Sequence, residues 1–314
     1  MTKLPNKEFQ KLVPKLRKKG FYEHKEIKSI SWPEYSLAQI EEAKEILNFI
    51  KRKVDACRLP SVNNKVGRPL TNPKSLAKAI MMSEFLQLTE RQSQGWVELL
   101  GPFVKIKEFL DDRVIGEAYN NPEVLYVLEQ VFQNTKSSDG KLSGDGTGLE
   151  KSRKQNYAST KNIKKCDYLV NIVDSREIVQ AFEINENECK SMHSLILGVE
   201  GDSLRLDAGF VDRKLTMKID DKGMIPYIFP KKNLVLNGGL AWKNMYLSLY
   251  NDVMKWLEEY HKRSHSESFY SSFKRRNKII LKRRPTARLS QITARIIIHN
   301  ARKLAYYNKL TKVS

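Results

Sequence analysis

The sequence predicts an α/β protein, a mixed sheet with flanking helices preceded by an all-helical N-terminal domain. Three observations lead there. Up to about residue 136, apolar residues recur at helical spacing between breaks rich in proline and glycine. From Lys141 the texture changes to short β-branched runs bounded by turn residues. Beyond the third such run, helical and strand-like segments alternate, as they do where helices cover a sheet. The expected division is residues 1–136 and 137–314.

Residues 1–36 are polar with scattered aromatics and read as a loosely structured arm. Ser36–Val54 reads as one amphipathic helix. Leu59–Lys74 breaks the periodicity with three prolines and a glycine, a linker that includes Lys65-x-Gly67-Arg68-Pro69. After Pro73, the residues Ala77, Met81, Phe85 and Leu88 repeat at helical spacing. Thr89-x-x-Gln92 is a capping box that opens a second helix, which Gly101-Pro102 stops after Leu100. This pair over residues 73–100 suggests a helix-turn-helix, with a plain helical hairpin as the alternative. A helix over Pro122–Gln133 and a linker over Asn134–Lys141 follow. Strands are expected at Lys141–Leu149, Asp167–Val173 and Ile178–Ile184. Then come a helix at Ser191–Val199, a strand at Ser203–Asp207, a helix at Asp212–Lys222 and a strand at Met224–Phe229. A long helical stretch runs from Trp242 to about Lys278, and a final helix from about Thr286 to Leu310.

Charge is the strongest global feature. The chain has 56 Lys and Arg against 36 Asp and Glu, a net +20, which points to a polyanionic partner, nucleic acid before an acidic membrane face. From His261 to Ser314 there are fifteen Lys and Arg against one acid, Glu267. Arg288, Arg295, Arg302 and Lys309 recur every seven residues, a stripe expected to contact DNA backbone, with Lys282-Arg283-Arg284-Pro285 beside it. Cys57, Cys166 and Cys189 are widely spaced and form no C-x-x-C pair, so neither a disulfide framework nor a zinc site is expected. His193, His261, His265 and His299 are expected in surface or core roles. No apolar run approaches the roughly 18 residues that would span a bilayer, and the polar N-terminus lacks the apolar core of a signal peptide.

Asp145 lies in the first expected strand, between glycines in GDGTG, and Asp207 ends the fourth in RLDAGF. Aspartates commonly terminate strands and open turns, so neither is distinctive alone. The order of three β elements, a helix, then the strand bearing Asp207 matches a ribonuclease-H-like sheet, in which strands one and four are neighbours. The two carboxylates would then be adjacent, an arrangement stable mainly around a hard cation such as magnesium. Glu267 is the candidate third acid for a two-metal site. On one continuous helix Tyr260, Arg263, Glu267 and Lys274 fall within an arc of about 60°. An Arg263–Glu267 surface ion pair is the alternative reading.

Tyr260, Arg263, Glu267 and Lys274 stand at the spacing Tyr-x2-Arg-x3-Glu-x6-Lys. This resembles the motif of DDE transposases of insertion-sequence families four and five. GDGTG and LDAGF look like the strands carrying that family's first two aspartates, and Gly67–Met82 looks, more loosely, like the start of its helical domain. The resemblance covers about residues 141–305. It implies that Asp145, Asp207 and Glu267 form the catalytic, metal-binding triad for two Mg2+ ions, with Mn2+ as substitute. It implies that Arg263 and Lys274 hold phosphates at the element end, with Tyr260 assisting. It implies cleavage at the ends of an insertion sequence and strand transfer by a 3′-hydroxyl, by a homodimer on double-stranded DNA in a prokaryotic cytoplasm, associated with the nucleoid. Residues 1–136 would be the DNA-binding region and 137–314 the catalytic domain. One departure is the short gap: 59 residues lie between Asp207 and Glu267, where some relatives insert a large β domain. A metal-dependent nuclease of the same fold, or a non-enzymatic DNA-binding relative, would carry the same residues.

Overall fold

The five strands β1 (Lys141–Lys151), β2 (Cys166–Val173), β3 (Val179–Asn185), β4 (Ser203–Leu206) and β5 (Ile225–Ile228) lie side by side in the order β3-β2-β1-β4-β5. They belong to a computed structural model that describes residues 4–18, 20–22, 30–59, 71–151, 166–277, 279–280 and 282–313. The motif Lys65-x-Gly67-Arg68-Pro69 lies outside the described residues. β2 and β3 are antiparallel, whereas β1, β4 and β5 run parallel. This is the mixed sheet the sequence predicts, with β1 and β4 adjacent.

Helix α8 (Glu188–Leu195) packs on β2 and β3. Helices α9 (Arg213–Asp221), α10 (Leu240–Asn251) and α11 (Val253–His261) pack on β5, and α12 (Ser264–Arg276) on β2. Leu142, Val170, Ile172, Leu204, Leu206 and Ile228 from the strands share a core with Met192, Leu215, Trp242, Tyr246 and Leu257. The N-terminal stretch is not a loose arm. It forms α1 (Asn6–Leu16), whose Phe9, Val13 and Leu16 are spaced for one helix face and join this core. Phe9 meets Tyr246 edge-on at 5.6 Å between ring centroids.

The expected long helix from Trp242 is three helices. Asp252 leaves helical geometry (φ −140°, ψ 82°), and its carboxylate accepts from the Lys255 N–H at 3.1 Å, capping α11. A second break follows His261, and α12 starts at Ser264.

The second compact unit is helical. It comprises α2 (Trp32–Ile40), α3 (Glu42–Asp55), α4 (Pro73–Leu86), α5 (Glu90–Leu100), α6 (Asp112–Ala118), α7 (Pro122–Gln133) and α13 (Pro285–Val313). In it, β6 (Ile279–Ile280) pairs with Glu150–Lys151. The helix expected over Ser36–Val54 is broken at Glu41. The capping box at Thr89 and Gln92 forms as expected. α4 is the central helix, buried from Ser75 through Glu84 against α3, α5, α6, α7 and α13.

The two units interleave along the chain, where a single boundary at 136/137 was expected. One holds residues 1–29, 137–149 and 166–276, and the other 30–136, 150–165 and 277–314. The basic stripe is paired with acids inside the helical unit. The Arg295 Nε–H donates to Glu84 Oε2 at 2.6 Å, and both residues are buried. Tyr119 Oη and Gln291 Nε2 donate to the other Glu84 oxygen at 2.7 and 2.9 Å. Arg302 pairs with Glu42 at 2.5 Å, and Lys309 with Glu41 and, at 2.8 Å, Glu45. Arg288 is half-buried and also engaged. The acids that neutralise the stripe lie more than 200 residues upstream, so no local reading could supply them.

Candidate active site

Parallel pairing places the first two acids. Leu142 is opposite Leu204 and Ser143 opposite Arg205. Two residues beyond this last pair lie Asp145 and Asp207, close enough that the Asp207 charge acts on the Asp145 carboxyl. Arg205 anchors this pairing. It is 1% exposed, donates to the Leu142 carbonyl at 3.3 Å, and reaches Glu259 through its carbonyl at 2.6 Å and its carboxylate at 2.7 Å. Asp207 follows β4 directly and caps a short 3-10 turn by accepting from the Gly209 N–H. Asp145 accepts from the Gly146 N–H at 2.9 Å, and its carbonyl is held by the Tyr270 hydroxyl at 2.7 Å. Tyr270, buried on α12, thereby ties that helix to β1.

Burial pushes the Asp145 carboxyl above the ordinary carboxylate range. The Gly146 N–H and Arg263 oppose that shift, while the negative charges of Asp207 and Glu267 add to it. Arg263 joins two of the acids: its guanidinium lies 3.3 Å from Asp145 and also pairs with Glu267. Burial disfavours its charge, but Tyr260, Glu267, Asp145 and Asp207 outweigh burial and hold it firmly protonated. The Arg263–Glu267 ion pair and the cluster of acids are therefore both present.

The shared helix face expected for the four motif residues is corrected. Tyr260 belongs to α11, Arg263 lies in the break, and Glu267 and Lys274 lie on α12. The break nevertheless keeps Tyr260 and Arg263 within reach of the charges of both Asp207 and Glu267. The Tyr260 ring stacks on Trp256 and meets Phe229, and burial pushes its phenol up to about 12. Lys274 is half-buried and has no ion-pair partner among the described residues. Arg288, Arg295 and Arg302 belong to the helical unit.

Sequence reasoning missed Glu188. Its carboxylate packs against Gly146, and a Cβ on that glycine would sit 2.6 Å from Glu188 Cδ. Burial, followed by the charges of Asp145 and Asp207, raises the Glu188 carboxyl above its ordinary range. An acid in the first turn of a helix usually only complements the helix dipole, so nothing in its local pattern singles it out.

These residues fit a divalent cation. Four carboxylates, Asp145, Glu188, Asp207 and Glu267, supply hard oxygen donors, and Arg263 balances only part of their charge. Gly146 provides the space in which Glu188 sits.

Residues 136–301 match the family model described as a transposase DDE domain. The chain is 28% identical over 301 residues to a probable transposase for insertion sequence element ISA1214 of Archaeoglobus fulgidus. That alignment covers 88% of this chain and 90% of the relative. No solved structure matches the chain. No described helix is long and apolar enough to cross a membrane. The parallel β1–β4 pair, the acids it brings together and a family match over more than half the sequence agree: the chain belongs to the DDE transposases, DNA transposases that act as metal-dependent polynucleotidyl transferases.

Proposed function

We propose that Asp145, Asp207 and Glu267 are the catalytic triad and hold two Mg2+ ions, which Mn2+ would replace. The reaction is cleavage at the ends of an insertion sequence followed by transfer of the freed 3′-hydroxyl to target DNA. The observation that carries this reading is that Arg263 pairs with Asp145 and Glu267, while the charges of Asp207 and Glu188 bear on the same place. The cations would activate the attacking oxygen and stabilise the leaving one.

The protein's own residues position the DNA. Arg263, fixed between Asp145 and Glu267, offers donors for non-bridging phosphate oxygens at the edge of the acids. Lys274 supplies an unpaired cation to the backbone. Tyr260 keeps its proton at neutral pH and therefore acts as a hydrogen-bond donor rather than a nucleophile. Residues 73–100 contribute to DNA binding chiefly through α5, because α4 is enclosed. The assembly is a homodimer on DNA, since two element ends join one target, and it works in the prokaryotic cytoplasm at the nucleoid.

The test uses the purified protein, Mg2+ and a plasmid carrying the DNA that flanks the gene. Cleavage at the flanks and joining to a second plasmid are expected, with at least about a 10³-fold loss in Glu267→Gln and retained DNA binding. Cleavage without joining would indicate a nuclease. Unchanged cleavage in Glu267→Gln would remove that residue from the site.

A further inference from the structure

Three groups outside the triad converge between α8 and α9. Cys189 and His193 are one helical turn apart on α8, and Asp212 is the N-cap of α9. Ligand atoms of all three lie within 4.8 Å of one another, and each side chain is partly buried. The His193 Nε2 to Asp212 Oδ2 separation is 3.8 Å, too long for a hydrogen bond. It is close to the edge of a tetrahedral zinc site, about 3.4 Å for nitrogen and oxygen ligands bonded at about 2.0–2.2 Å.

The other Asp212 oxygen accepts from the Leu215 N–H at 2.9 Å, which fixes the carboxylate and turns Oδ2 toward the histidine. The Cys189 thiol makes no hydrogen bond among the described residues. Burial, with the Asp212 charge, keeps this thiol protonated, so it does not serve as a free nucleophile. A thiol, an imidazole and an oriented carboxylate are three ligands of the type a borderline-soft cation takes, with water as a fourth. They differ from the all-oxygen set at Asp145, Asp207 and Glu267.

We propose that Cys189, His193 and Asp212 form a second metal site, for a zinc-like divalent cation. Its location gives it a structural role. It would clip α8, whose first residue is Glu188, to the segment between Asp207 and α9, and so hold two of the carboxylates in place.

The experiment is zinc titration of the chelator-treated full chain against a competing indicator, repeated with Co2+ to observe thiolate-to-cobalt charge transfer. One high-affinity equivalent is expected, with a charge-transfer band and a raised melting temperature. Cys189→Ser should remove the band and weaken zinc at least about tenfold. Asp212→Asn should weaken zinc while keeping the helix cap, because asparagine caps equally well. Asp207→Asn should leave the band intact. No stoichiometric zinc binding, or a band that survives Cys189→Ser, would overturn the site.

Discussion

Each compact unit contains an arginine surrounded by acidic and polar groups, but the two sites are balanced differently. In the helical unit, Glu84 is enclosed by Arg295, Tyr119 and Gln291, and every charge there has a partner. In the unit built on the sheet, Arg263 faces Asp145 and Glu267, while Asp207 and Glu188 add further negative charge around Asp145. A closed network fixes a fold. An open one leaves carboxylates in excess of cations. The difference teaches that local abundance of charge is a poor guide to function: the chain's basic C-terminal stripe is closed, whereas its lone nearby glutamate belongs to the open site.

The largest expected effect is on the open side. Asp207→Asn should abolish cleavage as completely as Glu267→Gln and leave the melting temperature near that of the parent protein, measured on one preparation. If Asp207→Asn instead unfolds the chain, the acids would be structural. On the closed side, Glu84→Ala leaves Arg295 buried and uncompensated, at a cost of about 3–5 kcal/mol in denaturant titration. A cost near zero would show that Arg295 escapes to solvent.

Gly146→Ala sharpens the role of Glu188. The added methyl would displace only a flexible side chain, so a stability cost below about 1.5 kcal/mol is expected. A tenfold or greater fall in cleavage would place Glu188 among the working carboxylates, and unchanged cleavage would make it a bystander. Acid titration bears on the Arg205 anchor. Burial opposes ionisation of Glu259, but hydrogen bonds and charge from Lys262 and Arg205 outweigh it and depress its carboxyl below the ordinary 4.5. This pair's stabilisation is therefore complete above that value and lost as the pH falls through the lower folded-state value. Glu259→Gln should remove that portion of the acid transition in a pH-dependent melting series.

The smallest effects distinguish two cations. Lys274→Ala should lower DNA affinity and reduce the slope of log affinity against log salt by about 1. Arg302→Ala should leave the slope unchanged and cost about 1 kcal/mol in stability. Equal slopes for the two variants would dissolve the distinction between open and closed charge.

The sequence by itself determined the succession of strands along the chain from Lys141, the capping box at Thr89, the positions of Asp145 and Asp207 and the spacing of the motif around Glu267. These are written in local periodicity, in turn chemistry and in short-range spacing, which a chain carries before it folds. Only the tertiary structure decided what required distant segments to meet. It joined the polar N-terminus to the sheet through Phe9 and Val13, and it matched Arg295, Arg302 and Lys309 with acids from the other end of the chain. It also set Glu188 against Gly146 and brought Asp212 to Cys189 and His193. Contacts of this kind follow from packing helices and strands against one another, and a spacing rule within one segment has no access to them.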